Sequence, residues 1–446
     1  MHSWPTRQGW AVWVGTVLIM GCATAAVGAG PLAGGQATGK AAAEKELDAA
    51  LRRIREGRND EALVLIRAQA AKHPEWPPAP LILARLLLGA GQAVPGRRAL
   101  EQAAVEVPRH PEVYLTFGTL DLADGRLSDA RLNFENARGL IGAGHWSAEQ
   151  AQVYRRETLS GLAAVAEARA DWTTAQEHLN AWLELEPKNG QARQRLGVVL
   201  FRLDKTEDAF AALKQSVLDT PALEPAAISM GRLFSQKGDN KQAQVWLDHA
   251  VELEPASARV RSARAGWLLD QGRAKDASKE ADEALKLDPK SMEARRLRGF
   301  IAWHLRDLAG AETFLEPLHR DTPDDAGTAN LLALALVEQD DPMKRARGLN
   351  LAEANARQYP RSHEFLATLG WAQYRAGHLD QAEPMLRAAV QGVRTSPDVA
   401  YFLARVLVDK GHTDDARKLL QSATQRLGAF AHRDDAQSLL KSLAKS

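Results

Sequence analysis

The segment AAISMGRLFSQKGDNKQAQVWLDHAVELEP, residues 226–255, holds two apolar-periodic runs of helical length, Ala226–Gln236 and Lys241–Glu252. Between them Gly238-Asp239 supplies a tight turn, because glycine tolerates the positive φ that ends a helix. Pro255 closes the second run, since proline lacks an N–H and disfavours helix in the residue before it. Gly231 on the first run and Ala243 on the second are small where two antiparallel helices would approach most closely. The segment predicts a helical hairpin packed through small side chains.

The same pattern recurs outward in both directions. Small residues in the phase of Ala243 fall at Ala62, Gly96 and Ala130, then at Ala175, Ala209, Ala277 and Ala311, then at Gly348, Ala382 and Ala416. Within each run the spacing is 34 residues, and the two irregular gaps are 45 and 37. Five residues earlier comes a glycine at Gly57, Gly91, Gly125, Gly238, Gly272, Gly377 and Gly411. Twelve earlier comes Gly118, Gly197, Gly231, Gly299 or Gly370, and twelve later a proline such as Pro187, Pro221, Pro289 or Pro360. A bulky apolar residue stands four after the small one in most copies, among them Ile66, Phe134, Leu213, Leu247 and Leu386.

This pattern resembles the tetratricopeptide repeat (TPR), whose small, Gly, aromatic and Pro positions recur with a 34-residue period. The resemblance covers eleven copies over residues 43–430. It implies an all-α fold, a right-handed α-solenoid of about eleven helix pairs. The longer gap, with Ser147-Ala148-Glu149-Gln150 in capping-box spacing, predicts an extended first helix of copy four from about Ser147. Asp340-Asp341-Pro342 predicts an enlarged turn in copy nine. Residues 431–446 are amphipathic and predict a helix that caps the solenoid.

Residues 1–22 read as an export signal. Arg7 precedes an uncharged apolar run, Trp10–Met20, too short to span a bilayer as a mature helix. Ile19-Met20-Gly21-Cys22 resembles the bacterial lipobox, in which the cysteine is lipidated; Ala23-Thr24-Ala25 offers the alternative of ordinary signal cleavage. Cys22 is the only cysteine, and residues 23–42, rich in Ala and Gly, predict a flexible tether. The expectation is an exported protein on the periplasmic side of the bacterial envelope, lipid-anchored through Cys22 in the outer membrane.

The chain carries 57 Lys+Arg against 56 Asp+Glu, a net charge of +1, which argues against a nucleic-acid partner. HExxH, CxxC, GxxxxGK[ST] and GxSxG motifs do not occur. No catalytic residue, metal ligand or cofactor is therefore expected, and no segment remains for a separate catalytic domain. In the TPR family the first helices line a concave groove. Transferring that rule puts Arg232, Arg296, Phe300, Trp303, Asn330, Trp371, Tyr374, Tyr401 and Arg405 on the inner face. Aromatic and arginine side chains are those that binding hot spots favour. The lysine–asparagine clamp by which some TPR proteins hold a C-terminal carboxylate is not visible, since Gln194 and Val198 take its positions in copy five. The expected function is a protein-interaction scaffold in an envelope complex, resembling lipoproteins that assist secretion, pilus assembly or polysaccharide export. The alternative is a groove for polysaccharide or peptidoglycan.

Overall fold

The structure, a computed structural model, describes residues 47–73, 76–144, 146–392 and 396–444. The signal, Cys22 and the tether lie outside the described residues. Among the described residues every regular element is a helix. In chain order these are α1 (Asp48–Arg55), α2 (Asn59–Ala70), α3 (Ala79–Gly89), α4 (Ala93–Glu106), α5 (Pro111–Ala123), α6 (Leu127–Ala143), α7 (Ala148–Ala168) and α8 (Trp172–Leu185). There follow α9 (Gly190–Arg202), α10 (Thr206–Asp219), α11 (Ala226–Lys237), α12 (Asn240–Leu253), α13 (Ala258–Asp270), α14 (Ala274–Leu287), α15 (Met292–His304) and α16 (Leu308–Asp321). The last are α17 (Ala326–Val337), α18 (Pro342–Gln358), α19 (His363–Arg375), α20 (Leu379–Ala389), α21 (Pro397–Asp409), α22 (Thr413–Gln425) and α23 (Arg433–Leu443). Consecutive helices pack as pairs, the arrangement of an α-solenoid. The chain divides into two units at Ser229/Met230.

The small residues do what their spacing requires. Ala62, Ala130, Ala175 and Ala209 in the first unit are completely buried, as are Ala243, Ala277, Ala311, Ala382 and Ala416 in the second. The first-helix glycines face the bulky residue of their own second helix. A Cβ on Gly197 would lie 2.7 Å from Leu213 Cγ and 3.2 Å from the Ala209 carbonyl oxygen. On Gly231 it would lie 2.8 Å from Leu247 Cγ, on Gly299 2.6 Å from Leu315 Cγ, and on Gly370 2.6 Å from Leu386 Cγ. Each leucine thus fills the place of a missing methyl, and burying it fully contributes roughly 2 kcal/mol. Where the second helix carries Phe134 instead, glycines flank it from both sides, Gly118 on α5 and Gly161 on α7.

Turns between paired helices use the left-handed region. Gly57, Gly91, Gly125, Gly238, Gly272, Gly377 and Gly411 have φ between +73° and +86°. Three copies put a side chain in the same place: Ala170, Asp204 and Arg306 have φ of 56°, 59° and 62°. Helix α7 opens on a full capping box, Ser147 accepting from the Gln150 N–H and the Gln150 side chain accepting from the Ser147 N–H. Helix α18 starts at Pro342, with Asp341 accepting from the N–H groups of Met343 and Lys344. In the second unit the first helices of successive copies also touch, α13 with α15, α15 with α17, α17 with α19 and α19 with α21. That contact makes them one continuous wall.

Two outcomes test this packing. Gly197→Val should cost about 1–3 kcal/mol by overpacking against Leu213, and adding Leu213→Ala should recover part of it in urea unfolding. Ala170→Gly should raise stability by about 1 kcal/mol, by relieving the left-handed penalty of a side chain, and shift the thermal midpoint upward.

Candidate functional site

Along the wall formed by α15, α17, α19 and α21, the inner residues converge on one buried carboxylate, Glu338, just past the end of α17. Its side chain is fully enclosed. Trp303 and Trp371 donate their indole N–H groups to its Oε1 at 3.2 and 3.1 Å. His432 Nε2 approaches the same oxygen at 3.3 Å, and Arg306 bonds to Oε2. Burial raises the Glu338 carboxyl, but hydrogen bonds from His432 and Arg306 and their charges outweigh it and hold it below its ordinary range.

His432 precedes α23 and is buried beneath it. Its Nδ1 meets Asp398 Oδ1 at 2.7 Å, and its ring stacks on Tyr401 at 4.9 Å between centroids. Trp303, Trp371 and Phe402 meet the same ring edge-on. Burial lowers the imidazole, yet the flanking carboxylates Asp398 and Glu338 raise it further, so the net direction is upward. Trp371 in turn lies between Phe402, at 4.2 Å, and Tyr374, at 5.0 Å, both nearly parallel to it.

Outside this buried layer opens a cavity of about 360 Å³, lined by Arg306, Arg375, Arg405, Tyr374, Tyr401, Trp371, His432 and Asp435. Arg405 donates to the Tyr374 hydroxyl at 3.1 Å, and that hydroxyl donates to Asp409 at 2.8 Å. Among the described residues no carboxylate pairs directly with the Arg405 guanidinium. Arg375 donates to the Glu338 main-chain carbonyl at 3.3 Å and touches Asp340 only at 3.9 Å. Three guanidiniums and two phenols thus line the cavity together with the Asp435 carboxylate, and the Arg306 guanidinium is already paired with Glu338. Among the described residues no group of three or more His, Cys, Asp or Glu side chains is placed to hold a metal ion.

The structure brings together Phe300, Trp303, Trp371, Tyr374, Tyr401 and Arg405 of the residues read from sequence. Phe300 stacks on Trp303 at 6.1 Å. Trp303, Trp371 and Tyr401 are nonetheless buried, so their rings build the wall, while Tyr374 and Arg405 are left reachable. The other three stand apart. Arg232 is buried on α11, Arg296 pairs with Asp325 at 3.4 Å, and buried Asn330 donates to Glu364 at 3.2 Å. Glu338, Asp398, His432 and Arg306 were not anticipated from sequence. Arg306 alone left a trace there, as an arginine in a turn position that other copies give to glycine.

Models of the tetratricopeptide repeat match residues 225–257, 268–326 and 373–443, and those segments are tetratricopeptide repeats. A curated TPR repeat-containing protein of Pseudomonas aeruginosa is 28% identical over 168 residues, which is 37% of this chain. The match spans only 28% of that relative's length. Among solved structures, a TPR protein of Thermus thermophilus is 20% identical, with 43% of this chain and all of that chain covered and a TM-score of 0.36. The Pseudomonas aeruginosa pilF structure is 19% identical, with 48% and 96% covered and a TM-score of 0.34.

The aromatic wall also carries a titration. Burial pushes the His304 imidazole, packed edge-on against Phe300 and Trp303, down to about 4, opposed in part by the Asp398 charge. Its folded value lies below its unfolded one of 6.5, so the unfolded chain takes up the proton first. Stability should therefore fall as pH drops from 6.5 toward 4, and His304→Phe should flatten that slope in urea midpoints taken across the window.

Proposed function

We propose that the protein is a non-catalytic protein–protein interaction scaffold of the bacterial envelope, an accessory lipoprotein for a secretion, pilus or polysaccharide-export machine. The wall of copies eight to eleven is its contact surface. The observation that carries this reading is the cavity in which Arg306, Arg375 and Arg405 converge beside the Tyr374 and Tyr401 hydroxyls. Solenoid repeats present extended inner surfaces of this kind to partners, and arginine beside tyrosine is the composition of interface hot spots. Residues 1–22, with Cys22 after an apolar run, support export and lipid anchoring.

A second reading, a groove for an acidic polysaccharide or a peptidoglycan strand, draws on the same cavity, since phenols and guanidiniums also suit sugar hydroxyls and carboxylates. Capture from cross-linked envelopes separates the two. An Arg375→Ala, Arg405→Ala double variant should lose its cross-linked protein partner by roughly tenfold or more at an unchanged melting temperature. Binding to arrayed glycans that persists without any protein partner would instead favour the second reading. Radiolabelled palmitate should enter the full chain and not the Cys22→Ser variant.

A further inference from the structure

The inner wall of the second unit already holds a peptide, and the peptide belongs to this chain. After α22 the chain does not continue into a helix. Residues 427–432, Leu-Gly-Ala-Phe-Ala-His, run across the wall before α23 begins. Leu427 at the start of this stretch is 91% exposed, and the five residues after it descend into the groove. We propose that this segment is a built-in occupant of a peptide-binding groove, and that the groove accepts a partner's extended segment of the same chemistry when the tail is displaced. The inference rests on the reading of this wall as a protein-contact surface and names the kind of ligand that surface takes.

Each contact is one that a bound peptide makes. At Gly428, with φ +106°, main chain meets main chain: a Cβ there would lie 2.7 Å from the Asp270 carbonyl oxygen. Conversely, a Cβ on Gly272 would lie 3.0 Å from the Gly428 carbonyl oxygen. Only glycine fits that first place. Ala429 packs on the cluster around Trp267 and Leu268 of copy seven. Phe430 is the anchor, buried in the core that includes Trp303, Trp371 and Phe402. The main-chain N–H groups of Ala431 and His432 both go to one side chain, Asp398, at 3.2 and 3.0 Å. The imidazole of His432 then ends the segment between Asp398 and Glu338. Polar main-chain groups satisfied by a groove side chain, with one aromatic anchor and one terminal charge contact, are the marks of extended-peptide recognition. The ligand pattern is therefore glycine, small, aromatic, small, then an imidazole or cation.

Arg433, at the start of α23, ties the tail to the end of α22, donating to the Thr424 carbonyl at 3.3 Å. It donates to the carbonyls of Arg426 and Gly428 at 2.9 and 3.1 Å and lies over the Phe430 ring at 5.2 Å. A segment held in its bound shape in this way competes with a ligand in trans, and scales that ligand's apparent affinity down to the fraction of time the groove stands open.

The test uses a fluorescein-labelled synthetic peptide of residues 425–434, QRLGAFAHRD, and fluorescence anisotropy on the full chain. A Phe430→Ala, His432→Ala double variant, which loosens the resident tail, should bind the peptide roughly tenfold or more tighter than the natural chain does. The same peptide carrying Ala in place of Phe430 should not bind. Equal binding by the natural and loosened chains, or equal binding of the two peptides, overturns the proposal. If circular dichroism shows that the double variant has lost helix, Gly428→Val replaces it, because that change acts at the tail's own main chain and its contact with Asp270 and leaves Phe430 and His432 in place; the same outcomes then decide. Should the peptide fail while partner capture still depends on Arg375 and Arg405, this inference falls and the scaffold reading stands. Should the peptide bind while the natural chain captures no protein partner from cross-linked envelopes, the groove stands and the envelope-scaffold reading falls.

Discussion

The stack depends on small residues where paired helices approach most closely, and in five copies a leucine or phenylalanine of the second helix fills the space left by a glycine on the first. Leu213 against Gly197, Leu247 against Gly231, Leu315 against Gly299 and Leu386 against Gly370 are the same event in four copies. The second-helix alanine is fully buried in these copies, as at Ala209 and Ala243, and equally where the first helix carries alanine, as at Ala277 and Ala416. Close approach holds each hairpin shut, and in the second unit successive hairpins place first helix beside first helix. The wall that carries the site in copies eight to eleven follows from that order.

The fold could be read from the chain because its determinants are local and repeated. A period of 34 residues, glycine at the turn and proline after the second helix are each visible within one copy. The site could be read only in part. Position within the repeat placed Trp303, Trp371, Tyr374, Tyr401 and Arg405 on one wall, and there they stand together. It could not say that two of the indoles would turn inward to a shared carboxylate, because Glu338, Asp398 and His432 come from three places with no common spacing. Nor could it separate Arg296 and Asn330, which occupy equivalent positions but are engaged by Asp325 and Glu364. The cap stretch reads as polar and amphipathic, which describes α23 well and leaves the burial of His432 just before it unannounced.

Arg306 shows how a repeat departs from its own rule for a purpose. A side chain in the left-handed region costs of order 1–2 kcal/mol relative to glycine, and seven other copies avoid it with glycine. In copy eight the cost is offset by what the guanidinium does: it reaches Glu338 in the interior and still lines the open cavity. Strain of this sort persists where the surroundings over-determine it, and such places cluster at functional positions.

Linear repeat arrays ordinarily lose structure from their ends, since each unit leans only on its neighbours. The meeting of Gly428 with Asp270 and Gly272 adds a longer-range contact here, because it brings the last stretch of chain against a turn four copies earlier. Copies seven and eleven are thus in direct contact, although three others lie between them in sequence. The end of the array is thereby tied back to a repeat that nearest-neighbour stacking alone would never reach.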